Sequence, residues 1–247
     1  MTLSPSQIKY LKNLGHKKYR QKYREFIIEG VKLVTEALLD GQDILLIAAT
    51  RAWLEENKQD IPATVHTYTA DQKTLDGISS WSSPQPVIAL LPFHPYNALH
   101  PATLQPWTIA LDGIQDPGNL GTIIRTADWF GIKNIFCSAD CVEMYNPKVV
   151  QASMGSLFRV RIIYGDLSAA LKQSPLKKIA ATAHGKNMLI NNLEGQGWII
   201  IGNESNGIRP EILQICDAEI TIPGSGSAES LNAAIAAAII MSRLHGN

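Results

Sequence analysis

The chain is short of cysteine, of aromatic residues and of long apolar runs, and it carries no net charge. Three cysteines in 247 residues build no disulfide framework. Cys137 and Cys141 lack a nearby second ligand pair and Cys216 stands alone, so no zinc or other metal site is expected. The longest apolar run, Ala233 to Met241, has nine residues, against the roughly 18 or more that a membrane span takes. The opening stretch MTLSPSQIKYLKNLGHKKYR holds no apolar core of a secretory signal. A cytoplasmic protein with no membrane partner is therefore expected. The absence of a Walker A sequence removes the P-loop enzymes.

What charge there is lies unevenly. Of 22 basic and 22 acidic residues, residues 1–25 hold seven cations (Lys9, Lys12, Lys17, Lys18, Arg20, Lys22 and Arg24) and one acid, Glu25. That leaves 15 cations and 21 acids for the rest, a basic arm on an acidic body. Most charge runs are solvated helix faces. Here Tyr10, His16, Tyr19 and Tyr23 are interleaved with the cations. Cations for phosphates and rings for bases make up a nucleic-acid surface, so these seven residues are candidate RNA contacts.

Ser4-Pro5-Ser6-Gln7 reads as a capping box opening a helix. FIIEG, ILLIAAT, TVHTY and PVIALLPF read as strands, with helices at VKLVTEALLDG, at RAWLEENK and from Thr69. These outline a small α/β domain over residues 1–93. Residues 94–106, with three prolines and no charged residue, read as a linker. Over residues 107–247, strands at WTIALD, NIFCS, RVRIIY, KIAATA, WIIIGNE and AEITIP alternate with helices, which predicts a largely parallel sheet covered on both faces. Ligands of such sheets bind beyond the carboxyl ends of the strands.

Three strand ends carry polar residues that invite chemistry. In LDGIQDPGNLGTIIRTADWFGI, Asn119, Thr122 and Arg125 follow one another along a helix. Taken alone, Asn119 is a helix cap and Arg125 the partner of Asp128. In WIIIGNESNGI, Glu204 directly follows an apolar strand, where a carboxylate is costly unless paired, solvated or in use. In IPGSGSAESLNAAIAAAIIMSRL, Ser230 and Asn232 open the apolar helix; they are caps or, with the glycine-rich lead-in, part of a ligand site.

Together these stretches resemble the ordered motifs of the SpoU-type (SPOUT) RNA ribose 2′-O-methyltransferases. The first is Asn119, Gly121, Arg125 and Phe130-Gly131; the second Gly202, Glu204 and Gly207; the third Ile222-Pro223 and Ser230-Leu231-Asn232. The first domain, notably KKYRQKYREFIIEGVKLVTEAL, is similar to that family's substrate-binding domain of ribosomal-protein L30e type. The resemblance implies an α/β fold with a deep trefoil knot and S-adenosyl-L-methionine as cofactor. It also implies a homodimer with its active site near the interface and an RNA substrate (rRNA favoured over tRNA, no DNA). Arg125 is then the central catalytic residue, as base or as organiser; a guanidinium is a poor base, which favours the organiser. Asn119, Ser230 and Asn232 would orient the hydroxyl, and Glu204 would fix Arg125 or a neighbouring amide. Cofactor contacts are implied in loops after strands, at the backbone of Thr182, Ala183, His184, Gly202, Ile222 and Leu231.

Two other readings compete. GSGSAE after a strand is a broken dinucleotide fingerprint, but Glu229 stands at its third glycine position and too little chain follows for the ribose-binding acid. A catalytically silent RNA-binding or ribosome-associated module of the same fold is opposed by the intact Asn119, Arg125, Glu204, Ser230 and Asn232 set.

Overall fold

The computed structural model describes residues 1–81, 83, 85–94, 106–188, 195–227 and 230–245. Apart from residues 94 and 106, the linker expected over 94–106 lies outside them, as do residues 228 and 229 of the glycine-rich lead-in. By contact the chain divides into two units, Met1–Pro95 with Tyr145–Phe158, and Tyr96–Met144 with Arg159–Asn247.

In the first unit α1 (Pro5–Asn13) starts where the sequence places it. Ser4 accepts from the Gln7 backbone while the Gln7 side chain accepts from the Ser4 backbone, so two otherwise orphaned donors are satisfied. α2 (Lys17–Tyr23) ends at Arg24, which takes a left-handed conformation (φ 55°). Strands β1 (Glu25–Glu29), β2 (Leu46–Ala49), β3 (His66–Thr69) and β4 (Val87–Pro92) form a sheet of order β1-β4-β2-β3. β4 runs antiparallel to both neighbours, and β2 and β3 are parallel. Between the strands lie α3 (Val31–Leu39), α4 (Arg51–Glu56) and α5 (Gln72–Ile78). Leu11, Leu14, Ile27, Leu75 and Ile88 form one core under α1. The later segment completes this unit: Tyr145 stacks on Phe93 at 4.0 Å and lies 4.5 Å from Phe26, and α7 (Pro147–Ser153) packs against β1.

The second unit is a six-stranded sheet of order β10-β8-β9-β5-β6-β7, in which every pairing is parallel. Its strands are β5 (Trp107–Asp112), β6 (Asn134–Ser138), β7 (Arg161–Gly165), β8 (Lys177–Asn187), β9 (Gly197–Gly202) and β10 (Ala218–Thr221). β5, β6 and most of β9 are buried at every residue, which accounts for their unbroken apolar reading. Helices α6 (Pro117–Trp129), α8 (Leu167–Gln173), α9 (Pro210–Leu213) and α10 (Ala233–His245) accompany it. α6 is capped by Asp116, not by Asn119. It stops at Gly131 (φ 72°), where Ile132 N–H bonds back to the Ala127 carbonyl, the reason a Phe-Gly pair closes the first motif.

α10 departs from its sequence reading. Ala233, Ala237, Ile240, Met241 and Leu244 are buried within this chain, against α6 and β9, whereas Ile235 is 51% exposed. The helix is not apolar all round in environment: one stripe is core and the opposite one is bare. No helix among the described residues is long and apolar enough to cross a membrane.

Candidate functional site

β5 lies between β6 and β9. The chain leaving β5 builds the sheet outward on one side, and the chain arriving at β9 completes it on the other. A parallel sheet opens a crevice at such a reversal, beyond the carboxyl ends of its strands. The loops after β5 and β9 and the start of α10 meet there.

A hydrogen-bonded frame joins these loops. Asp112, the last residue of β5, is 1% exposed and stands opposite Gly202 in the register. Its carboxylate accepts from the backbone N–H of Arg209 at 2.8 Å and from Arg209 Nε at 2.7 Å. The bond to Asp112 raises the Arg209 pKa further above its ordinary value. Arg209 also lies 3.8 Å from Asp140, whose carboxyl is held below its usual range by the Ser138 hydroxyl, 2.6 Å away. Ser138 Oγ accepts from Gly113 N–H, and Asn203 Nδ2 donates to the Gly113 carbonyl at 2.8 Å. Asn203 and Gly207 exchange backbone hydrogen bonds, closing a tight loop. A Cβ on Gly202 would collide with the Gly207 backbone, and Gly207 itself takes φ 67°. The Gly-x-Glu-x-x-Gly spacing is therefore that of a small loop displaying Glu204.

Inside this frame stands a chain of three side chains, one from each motif. Asn232 Oδ1 caps α10, accepting from Ala234 N–H at 3.0 Å and Ile235 N–H at 3.2 Å. Its amide nitrogen thus faces outward and donates to Asn119 Oδ1 at 3.0 Å. Asn119 in turn donates from Nδ2 to the Glu204 carboxylate. Backbone donors at one end and a carboxylate at the other set both amides, leaving each Nδ2 a second N–H and Glu204 a second oxygen. The group offers two donors and one acceptor to whatever enters the crevice.

Glu204 thus accepts from a neighbouring amide, that of Asn119. Arg125 does not pair with Asp128, which bonds Arg159 at 2.8 Å instead. It is exposed and has no hydrogen-bond or ion-pair partner among the described residues. Ser230 is exposed and lies ahead of α10, which starts at Ala233 and not at Ser230.

Thr182, Ala183 and His184 lie inside β8 and not in a loop after it. There the register against β10 jumps from Glu219↔Ala180 to Ile220↔Lys186, so the intervening residues bulge. The Thr182 hydroxyl donates to Glu219 and the Ala183 carbonyl accepts from Thr221. All three are nonetheless past the last β8–β9 pair, Ala180↔Ile200. Gly202 ends β9, and Ile222 and Leu231 flank the lead-in to α10, Leu231 with its side chain 46% exposed.

Among the candidate RNA contacts, Lys9, Lys12, Lys17, Lys18, Lys22 and Arg24 are exposed. Arg20 is not: it is 2% exposed and donates to the Leu14 and Gly15 carbonyls at 2.9 Å. A guanidinium buried against these carbonyls braces the α1–α2 turn and is not presented to a phosphate at the surface. Asp112 and Arg209 were the residues sequence reasoning missed. The available signal was an acid ending an apolar strand, but its partner lies 97 residues on.

The chain resembles known proteins along its whole length. The SpoU rRNA Methylase family matches residues 106–242 and the MRM3-like substrate binding domain residues 5–89. The chain is 30% identical to the 23S rRNA (guanosine(2553)-2′-O)-methyltransferase of Bacillus subtilis, over 97% of this chain and 96% of that one. A putative RNA methyltransferase of the TrmH family from Porphyromonas gingivalis superposes with a TM-score of 0.88 at 34% identity, covering 98% of each chain. An AdoMet-bound rRNA methyltransferase from Sinorhizobium meliloti does so at 0.85 and 29% identity, over 98% of this chain and 95% of that one. With all three motifs converging on one crevice of the matched segment, the chain belongs to the SpoU rRNA methylase family.

Proposed function

We propose that this protein methylates a ribose 2′-hydroxyl of ribosomal RNA, with S-adenosyl-L-methionine as methyl donor. The observation that carries this reading is the chain from Asn232 through Asn119 to Glu204. It assembles all three motifs and leaves two amide donors beside a carboxylate oxygen, a suitable seat for a hydroxyl. Such a seat works by holding the nucleophile in line and restraining its proton. Arg125, a permanent cation, is assigned to the target nucleotide's phosphate and not to proton abstraction. Ser230 supplies a further hydroxyl to the RNA.

The cofactor, when bound, supplies an electrophilic methyl group. The chain's own residues fit it: the backbone groups of Ile222 and Leu231 have no hydrogen-bond partner among the described residues, and the exposed Leu231 side chain offers an apolar surface to a purine. Gly202 and residues Thr182 to His184 complete this assignment. A homodimer belongs to the same reading, with the bare stripe of α10 around Ile235 as the surface a second copy covers. So do the trefoil knot, a cytoplasmic location, and rRNA engagement by the exposed cations of α1 and α2.

Incubating the protein with unmodified 23S rRNA and methyl-labelled S-adenosylmethionine tests the reading. The expected result is one labelled ribose, located by its resistance to alkaline cleavage. Binding of both ligands without label transfer would instead mean a silent module.

A further inference from the structure

The basic arm of the first unit carries more than cations. Tyr19, Lys22 and Tyr23 lie at i, i+3 and i+4 on α2, so they share one face. Tyr19 and Tyr10 of α1 are half-buried and pack against the core of this unit. Tyr23 stands outside them, 39% exposed. Tyr19 lies parallel to it, with 9° between the ring planes and 6.4 Å between centroids, and Tyr10 meets it edge-on at 5.0 Å. The Lys22 ammonium is 5.0 Å from the centre of the Tyr23 ring. Tyr10 is itself fixed, its hydroxyl donating to Glu25, the one acid among residues 1–25. Two anchored rings thus hold a third at the surface, beside an ammonium. These are the two contacts a nucleotide takes, a face for its base and a cation for its phosphate.

We propose that Tyr23, held by Tyr10 and Tyr19, stacks with an unpaired base of the substrate RNA, and that Lys22 takes the phosphate beside it. The first unit then selects a single-stranded segment of the rRNA and does not merely attract its charge. A base-paired segment keeps its bases inside the helix and presents phosphates and 2′-hydroxyls, for which a ring is of no use. The inference rests on the reading of the protein as an rRNA methyltransferase. Charge favours RNA as the occupant: residues 1–25 hold seven cations and one acid, and six of those cations are exposed. An acidic protein surface would answer the cations and not the ordered ring.

The test measures binding of the full chain to fluorescein-labelled octauridylate, to an abasic ribose-phosphate octamer and to a blunt-ended RNA duplex. The wild type should prefer octauridylate to the abasic octamer by roughly 5-fold or more. Tyr23→Leu keeps apolar bulk and loses the flat face. It should weaken octauridylate binding roughly 5- to 150-fold, leave duplex binding nearly unchanged, and raise KM for unmodified 23S rRNA more than it slows the single turnover at saturating RNA. Tyr23→Phe should behave as the wild type. Lys22→Gln should weaken strand and duplex alike and flatten each log–log salt slope by roughly 0.7–0.9 units. Equal wild-type affinity for octauridylate and the abasic octamer overturns the platform, whether or not a variant folds. So does a Tyr23→Leu loss that is equal on strand and duplex, or absent on the strand. Altered sedimentation of Tyr23→Leu overturns it in favour of a protein interface. A wild type that prefers the strand with bases yet transfers no methyl to 23S rRNA keeps the platform and overturns the function.

Discussion

Arg125 is the residue whose surroundings say most about its work. It is an exposed arginine with no hydrogen-bond or ion-pair partner among the described residues, on a helix whose neighbouring acid is taken by Arg159. Arg125→Ala should therefore leave the fold and S-adenosylmethionine binding as they are, and lower the single-turnover methyl-transfer rate by about 10²-fold or more. Near wild-type turnover would remove it from the mechanism. Asn119→Asp tests the direction of the amide chain. Its carboxylate would face that of Glu204, and the like charges raise the pKa of the pair. Protonated, the new side chain can still donate to Glu204; ionised, it cannot. The variant should lose activity as pH rises through that raised value, and recover it on acidification, where the wild type does not. At this scale the sequence marked Asn119, Glu204 and Asn232 by position, but not which atom faces which. That depends on Asn232 spending its oxygen on the α10 backbone, a tertiary fact.

Among the elements, α10 separates composition from environment. Its nine apolar residues were visible in the sequence, but not which of them face the core. The structure puts Ala237 at 0% exposure within its own unit and leaves Ile235 bare. An unpartnered carboxylate at 237 is expected to cost several kcal/mol. Ala237→Glu should accordingly unfold the chain, seen as an early denaturant transition by circular dichroism. Ile235→Glu should stay folded and sediment as a monomer. A folded Ala237→Glu protein would contradict the core placement, and a dimeric Ile235→Glu protein the assigned interface. The strands were legible because buried parallel strands leave unbroken apolar runs. The extension of β8 to Asn187 was not, since its bulge follows the register with β10, which no local pattern records.

At the scale of the whole molecule, the basic arm was legible as charge and the fold class as alternation. Burial then removed Arg20 from the arm. Replacing Lys9, Lys12, Lys17 and Lys18 by Gln should flatten the log–log salt dependence of rRNA binding. If all four meet phosphates of a single strand, the slope falls by roughly 3 units, with S-adenosylmethionine affinity unchanged; an unaltered slope would make them a solvated face. Excising residues 1–93 is a poorer test, because Tyr145–Phe158 belongs with them. That membership was hidden from the sequence, where the segment lies well inside the second alternating series. It also bears on biosynthesis. A chain made from its N-terminus generally folds its first domain first. Here Phe26 and Phe93 wait for Tyr145, and β1 waits for α7, until β5 and β6 have already been translated. β5 in turn waits for β9, so neither unit closes before the other has begun, and vectorial synthesis cannot be parsed into two successive folding events.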